Sequence, residues 1–170
     1  MELNRKNLTR IIYPVFFCCI LLTLLVSRLM YPPDAPEPYS DIWETISGLG
    51  NTENNPVGYI FFQIALSLFG ILIIPVLIYV HPRLMEIAKN KKTLVVLGSF
   101  FLALGSVGFI LTGFIPDGTV TIPEFDKFHE ITSGMGFLGV MFAAFFYFWP
   151  MVRSKQRINK KMLLAITLMW

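Results

Sequence analysis

Four long apolar runs constrain the fold of this chain more than any other feature of its sequence. The runs cover about residues 11–30, 57–80, 93–115 and 128–150. A helix needs about 20 mostly apolar residues to cross the hydrocarbon core of a bilayer, and each run is long enough to do so. The sequence therefore predicts an all-α integral membrane protein, built as a helical bundle with four complete transmembrane helices.

A fifth apolar run begins at Met162 and continues to Trp170. As a helix, residues 162–170 would rise only about 14 Å, less than half of the hydrocarbon thickness. We interpret this run as the start of a fifth transmembrane helix and expect the domain to be truncated at its C-terminus. The chain has 170 residues, 55% of them hydrophobic and 15% charged, whereas soluble domains carry about 25% charged residues. We predict a single transmembrane domain over residues 1–170.

Prolines set the predicted ends of three helices. Proline has no backbone N–H, and its ring clashes with the preceding turn, so it rarely continues a helix. We expect the second helix to stop near Val80, ahead of Pro82. We expect the third helix to stop ahead of Pro116 and the fourth to stop at Pro150.

The lysine and arginine residues lie almost entirely on one side of the predicted membrane. All but Arg28 and Lys127 of the 14 belong to residues 1–10, 81–92 or 151–161. Short segments rich in these residues stay in the cytoplasm. We therefore predict a multi-pass protein of the cell membrane with a cytoplasmic N-terminus. We expect membrane lipids as partners, allow for other membrane subunits, and expect no nucleic acid.

Residues 31–56 form the one long connection, which we place outside the membrane. A proline-rich first part precedes Ser40, which can cap a short helix, and Trp43, which suits headgroup depth. Gly48 and Gly50 end this predicted interfacial helix. We expect the connection to cover the helix ends as a lid. The alternative is that it shapes the entrance to a substrate site.

Polar side chains collect in the outer halves of the predicted helices, whereas the inner halves are largely featureless. They recur at helical spacing on the second helix at Tyr59, Gln63, Ser67 and Gly70, and on the fourth at Asp126, His129, Ser133 and Gly136. Steps of 3 and 4 place such residues on one helix face. Because polar groups are costly in lipid, we expect both faces to point into the bundle.

His129 indicates a chemical function most directly. Histidine can act as a general base, a proton relay or a metal ligand. Asp126 one turn earlier could orient its ring, and Ser133 one turn later could exchange a hydrogen bond with it, so these three form the predicted catalytic set. The alternative is a structural histidine at the water–lipid boundary, bonded to Asp126 or to loop carbonyls. The other histidine, His81, lies on the opposite side, so we predict no metal site and no cofactor.

Further polar residues form a predicted binding set at the same depth: Arg28, Ser47, Glu53, Gln63, Ser67 and Asp117. They come from the outer ends of the helices or from the connections between them. Their convergence favours a site at the outer leaflet that takes a lipid or a lipid-linked substrate.

Small residues line one face of the third helix and recur on the fourth. They are Gly98, Gly105, Gly108 and Thr112 on the third helix and Gly134, Gly136 and Gly139 on the fourth. Small side chains let two helix backbones approach closely within a membrane. We therefore predict that these two helices pack tightly against each other.

Two short segments resemble a large uncharacterised family of prokaryotic multi-pass membrane proteins. They are Ile46–Gly50 with Asn55 and Pro56, and Gly113–Pro116 followed by Phe128 and His129. That family is similar to the damage-regulated autophagy modulator superfamily and to eukaryotic proteins that assist the remodelling of lipid-anchored proteins. The resemblance spans roughly residues 10–150 and implies a six-helix bundle with a functional outer face. Four residues match positions of the family's pattern: Ser47, Gly50, Pro116 and His129. The resemblance assigns no role to any of them.

Two functions fit these features. The first is a multi-pass membrane protein that acts on, or binds, a lipid or a lipid-linked substrate at a polar site in its outer leaflet. The alternative is a non-catalytic membrane scaffold or subunit whose polar cluster is structural. A transporter is the least favoured, because no acidic residue lies near the middle of any of the four runs. The sequence leaves open whether the protein is an enzyme.

Single cysteines introduced at Glu37 and Asn90, in a background without Cys18 and Cys19, should label from opposite sides of the membrane. The distribution of positive charge places Glu37 outside and Asn90 inside. A membrane-impermeant thiol reagent applied to intact cells should therefore modify Glu37→Cys, and should modify Asn90→Cys only after lysis. Labelling of both positions from the same side would contradict the predicted topology.

Overall fold

The computed structural model describes residues 8–40, 46–115, 117 and 127–153. Four long helices follow one another along these residues: α1 (Tyr13–Leu29), α2 (Tyr59–Ile87), α3 (Lys92–Phe114) and α4 (Phe128–Arg153). A π-helical turn, Leu8–Ile12, precedes α1, and short 3₁₀ turns occur at Ile46–Gly50 and Lys89–Lys91. All regular structure in the described residues is helical, as the sequence predicts.

Each of the four helices is long and apolar enough to cross a membrane. This confirms the all-helical bundle with four helices that are long and apolar enough to span a membrane. The predicted start of a fifth helix, residues 162–170, lies outside the described residues. The predicted interfacial helix also falls partly outside them, and its described part is the 3₁₀ turn Ile46–Gly50. Both elements stay predictions.

Two of the helix ends predicted from prolines were wrong. Helix α2 continues through Pro82 to Ile87, and α4 continues through Pro150. A proline inside a helix removes one backbone hydrogen bond, but packing on both sides can hold the helix together. Beyond these two prolines the helices still contribute to the core, because Leu84 and Met151 belong to the same apolar cluster. The third helix ends at Phe114, close to its predicted end.

Helix α3 occupies the centre of the bundle and packs against both α2 and α4, whereas α1 packs mainly against α2. The core cluster draws on α2, α3 and α4 and on the connection between the first two: Ile73, Leu84, Ala88, Val95, Leu102, Phe109, Ala143, Tyr147 and Met151. Helix α1 contributes little to burial and exposes most of its apolar side chains, a pattern that suits contact with lipid.

The bundle has two ends, which we name after the predicted orientation. The predicted outer end holds the last turn of α1, the first turns of α2 and α4 and the last turn of α3. The predicted inner end holds the other helix termini, including Lys92 and Arg153. Successive helices therefore run antiparallel.

Glycines bring α3 and α4 into close contact, as the sequence predicts. A Cβ atom added to Gly139 would lie 2.6 Å from the Cα of Gly105, and one added to Gly108 would meet the backbone of Gly136. Gly98 lies against the ring of Tyr147 in the same way. The prediction was wrong for Gly134, because a Cβ atom there would have no neighbour within 4 Å.

Gly139→Ala should destabilise the protein, whereas Gly134→Ala should not. The added methyl group at Gly139 collides with the backbone of α3, and overpacking of this kind costs about 1–3 kcal/mol. At Gly134 the methyl group meets open space, and the higher helix propensity of alanine should add up to about 1 kcal/mol of stability. Unfolding in mixed detergent micelles measures both changes. Equal effects of the two substitutions would contradict the observed contact.

Candidate functional site

Asn55 is the centre of a buried hydrogen-bond cluster between α1 and α2 at the predicted outer end. Its side chain is fully buried, as is that of Ser27 on α1. The amide nitrogen of Asn55 donates to the carbonyl of Leu49 at 2.8 Å and lies 3.3 Å from both the carbonyl and the hydroxyl oxygen of Ser27. Its amide oxygen accepts from the backbone N–H of Gly58 at 3.1 Å. The cluster therefore satisfies both the donors and the acceptor of the buried amide.

The same connection is tied to the segment that follows α3. The side chain of Asn51 accepts hydrogen bonds from the backbone N–H groups of Glu53 and Asn54, both at 2.9 Å, which fixes the turn. The backbone N–H of Thr52 donates to the carbonyl of Asp117 at 3.0 Å. The hydroxyl of Thr52 donates to the same carbonyl at 3.2 Å. These bonds join the first and third connections across the end of the bundle.

His129 lies inside the bundle, with only 6% of its surface exposed. Its Nδ1 atom is 2.7 Å from the carbonyl oxygen of Ile115, the residue that caps α3. A carbonyl oxygen only accepts hydrogen bonds, so Nδ1 carries the proton and donates. In the neutral ring, Nε2 is then an acceptor. It is buried, and no atom of the described residues forms a hydrogen bond with it.

Two buried threonines lie close to this histidine, and neither hydroxyl belongs to the predicted catalytic or binding set. The hydroxyl groups of Thr112 on α3 and Thr132 on α4 lie 3.1 Å apart. Thr112 also bonds the carbonyl of Gly108 at 2.8 Å, and Thr132 bonds the carbonyl of Phe128 at 2.8 Å. Residues at steps of 3 and 4 share a helix face, so the spacing of His129, Thr132 and Gly136 could have identified this face.

The predicted catalytic set is not assembled within the described residues. Asp126 lies outside them. Ser133 is half-buried and forms no hydrogen bond with His129 in this part of the chain. The partner of the histidine is a backbone carbonyl, which can fix the orientation of the ring but cannot act as a nucleophile.

The residues of the predicted binding set lie in different places and contact different neighbours. Gln63 and Ser67 lie along α2 against Gly113, where an added Cβ atom would meet the hydroxyl of Ser67. The guanidinium of Arg28 lies 5.0 Å from the centre of the Tyr39 ring. The remaining three belong to the connections: Ser47 is in the first 3₁₀ turn, Glu53 is exposed, and Asp117 accepts from Thr52.

The predicted inner half also contains a polar network, so the expectation of a featureless inner half was wrong. The hydroxyl of Ser99 on α3 donates to the carbonyl of Val95 at 2.9 Å. It lies 2.6 Å from Nδ1 of His81 on α2 and 2.8 Å from the hydroxyl of Tyr147 on α4. One hydroxyl group thus joins three helices. The apolar sequence around each of the three side chains concealed their proximity.

No family model, curated protein or solved structure matches this chain. The resemblance to relatives of the damage-regulated autophagy modulators therefore stays a prediction. Within the described residues, no group of three or more His, Cys, Asp or Glu side chains could hold a metal ion.

Asn55→Ala should destabilise the protein by about 2–3 kcal/mol, since it removes the 2.8 Å bond to the carbonyl of Leu49 and leaves the buried backbone N–H of Gly58 without its acceptor. Asn54→Ala is the matched control, because Asn54 is only partly buried and, within the described residues, its side-chain amide makes a single long bond of 3.4 Å to Glu37. Thermal unfolding in detergent should separate the two variants clearly. A similar small change in both would contradict a structural role for the buried cluster.

Proposed function

We propose that this protein is a membrane-embedded binding protein whose predicted outer end holds a polar group of a membrane lipid or a lipid-linked compound at His129. One observation carries the proposal: the Nε2 atom of His129 is buried and has no partner among the described residues. Leaving a buried polar atom unsatisfied costs about 1–3 kcal/mol. A ligand that supplies a hydrogen bond at this atom would remove that cost.

The protonation of the ring defines the chemistry of the ligand. Because Nδ1 donates to Ile115, the neutral ring presents an acceptor at Nε2. The matching ligand group is a hydrogen-bond donor, such as a hydroxyl or an amine. Headgroups with a hydroxyl or an amine are common in membrane lipids and in lipid-linked sugars. A choline headgroup, in contrast, has no O–H or N–H hydrogen to donate.

The neighbouring side chains favour binding over catalysis. Thr112 and Thr132 already form hydrogen bonds to each other and to helix carbonyls, so they shape the site without supplying a free nucleophile. A general base also needs a reacting group within reach, and Ser133 makes no bond with the ring in the described residues. The family resemblance, which implies a functional outer face, agrees with a site at this end.

A non-catalytic scaffold or subunit is the second candidate, and the Ser27–Asn55 cluster favours it. That cluster satisfies its own polar groups and so needs no ligand. Helix α1 also exposes a broad apolar face, with Leu22 60% and Leu29 74% exposed. Such a face would suit another membrane subunit as well as lipid. In this role His129 would be a structural residue.

The test uses His129→Asn, because asparagine keeps a donor for the carbonyl of Ile115 and has no atom in the place of Nε2. The protein is purified in nanodiscs with equal amounts of phosphatidylethanolamine and phosphatidylcholine. These lipids have the same net charge, and only the first has N–H donors. Native mass spectrometry should show the wild type retaining the ethanolamine lipid about five-fold more than the choline lipid, the effect expected of one hydrogen bond.

His129→Asn should lose this preference, and Ser133→Ala should keep it. Lipids that copurify from native membranes give a second measurement: a hydroxyl- or amine-bearing lipid should accompany the wild type and be missing from His129→Asn. Thermal unfolding checks that both variants are folded. If no form retains a lipid selectively and His129→Asn only lowers stability, the site is structural and the scaffold function is correct.

A further inference from the structure

A groove opens between α3 and α4 at the predicted inner end, far along both helices from His129. Its volume is about 280 Å³, and it is lined by Lys91, Leu94, Phe145, Phe146 and Trp149. Lys91 belongs to the 3₁₀ turn before α3, and Leu94 follows one helical turn later. The three aromatic residues come from the last turns of α4.

Packing fixes the walls of this groove. The ring of Phe146 stacks on that of Phe101, with the ring centres 5.5 Å apart and the planes 13° from parallel. Phe145 packs edge-on against Phe146 at 5.6 Å. Phe145 is nevertheless 49% exposed and Trp149 40% exposed, so the groove is open to the surroundings of the bundle.

The lining combines an apolar slot with one cation at its end. Leu94 and the three aromatic side chains offer no charge to a ligand, whereas Lys91 is exposed and adds a positive charge at the helix terminus. A molecule that matches both features has a long apolar chain and an anionic head. Tryptophan near a helix end and a neighbouring lysine are typical of the membrane–water interface, where such molecules reside.

We propose that this groove binds an anionic phospholipid, with an acyl chain along Leu94, Phe146 and Trp149 and the headgroup phosphate at Lys91. Charge complementarity distinguishes this occupant from a zwitterionic lipid, since both would fill the apolar slot equally well. The site is separate from the one at His129, because it lies at the other end of the bundle. It also takes a different ligand group: an anionic phosphate, whereas the site at His129 takes a hydrogen-bond donor.

The test follows the fluorescence of Trp149 alone, in a protein with Trp43→Phe and Trp170→Phe. It is reconstituted in phosphatidylcholine vesicles that contain either brominated phosphatidylglycerol or brominated phosphatidylcholine as the quencher. A single lysine near the surface should favour the anionic lipid about five-fold. Quenching by the glycerol lipid should therefore reach its midpoint at about a five-fold lower mole fraction.

Lys91→Gln should remove this difference, and Lys92→Gln should keep it, because Lys92 is adjacent and exposed but does not line the groove. Leu94→Phe, which fills the slot, should weaken quenching by both lipids. Thermal unfolding checks that each variant is folded. Equal quenching by the two lipids in the wild type would overturn the proposal, because it shows no preference for the anionic lipid. Equal losses in Lys91→Gln and Lys92→Gln would also overturn it, because they describe only a general surface charge.

Discussion

The close contact of α3 with both of its neighbours is the constraint on which the other features depend. Within lipid there is little hydrophobic driving force between helices, so van der Waals contact and interhelical hydrogen bonds must hold them together. Two stripes with a step of 7 residues provide these contacts. Gly98, Gly105 and Thr112 face α4, Ser106 and Gly113 face α2, and Ser99 contacts both neighbours. A repeat of 7 keeps the same side of a helix against its partner over several turns.

The polar groups at the predicted outer end divide into two kinds. Asn55 and Ser27 satisfy each other and the carbonyl of Leu49, so they fasten the first connection to α1 and α2. His129 bonds only through Nδ1, which leaves Nε2 unpartnered among the described residues. A buried amide that uses all its bonding capacity stabilises a fold, whereas a buried acceptor without a donor requires a separate explanation. This difference is the physical basis of the binding function that we propose for the histidine.

The apolar runs were sufficient to predict four helices, because the thickness of the bilayer sets the length of a spanning segment. They were not sufficient to predict helix ends at Pro82 and Pro150, where tertiary packing outweighs the lost hydrogen bond. Helical spacing predicted that His129 faces the bundle but could not identify the carbonyl of Ile115 as its partner. That contact, like the one between Ser99 and His81, joins residues on different helices, and a periodic pattern on one helix does not determine the register between two.

The repeat of 7 residues along α3 also explains the position of the groove at the predicted inner end. One step of 7 before Gly98 lies Lys91, the residue that directly precedes α3. At Gly98 the ring of Tyr147 packs directly on the glycine, but a lysine at the next step cannot be buried between two helices in the same way. Its charge has to reach water or an anion, and its long side chain can only lie at the edge of the contact. The groove is therefore the place where close packing ends, and this position is a further reason to propose an anionic lipid as its occupant.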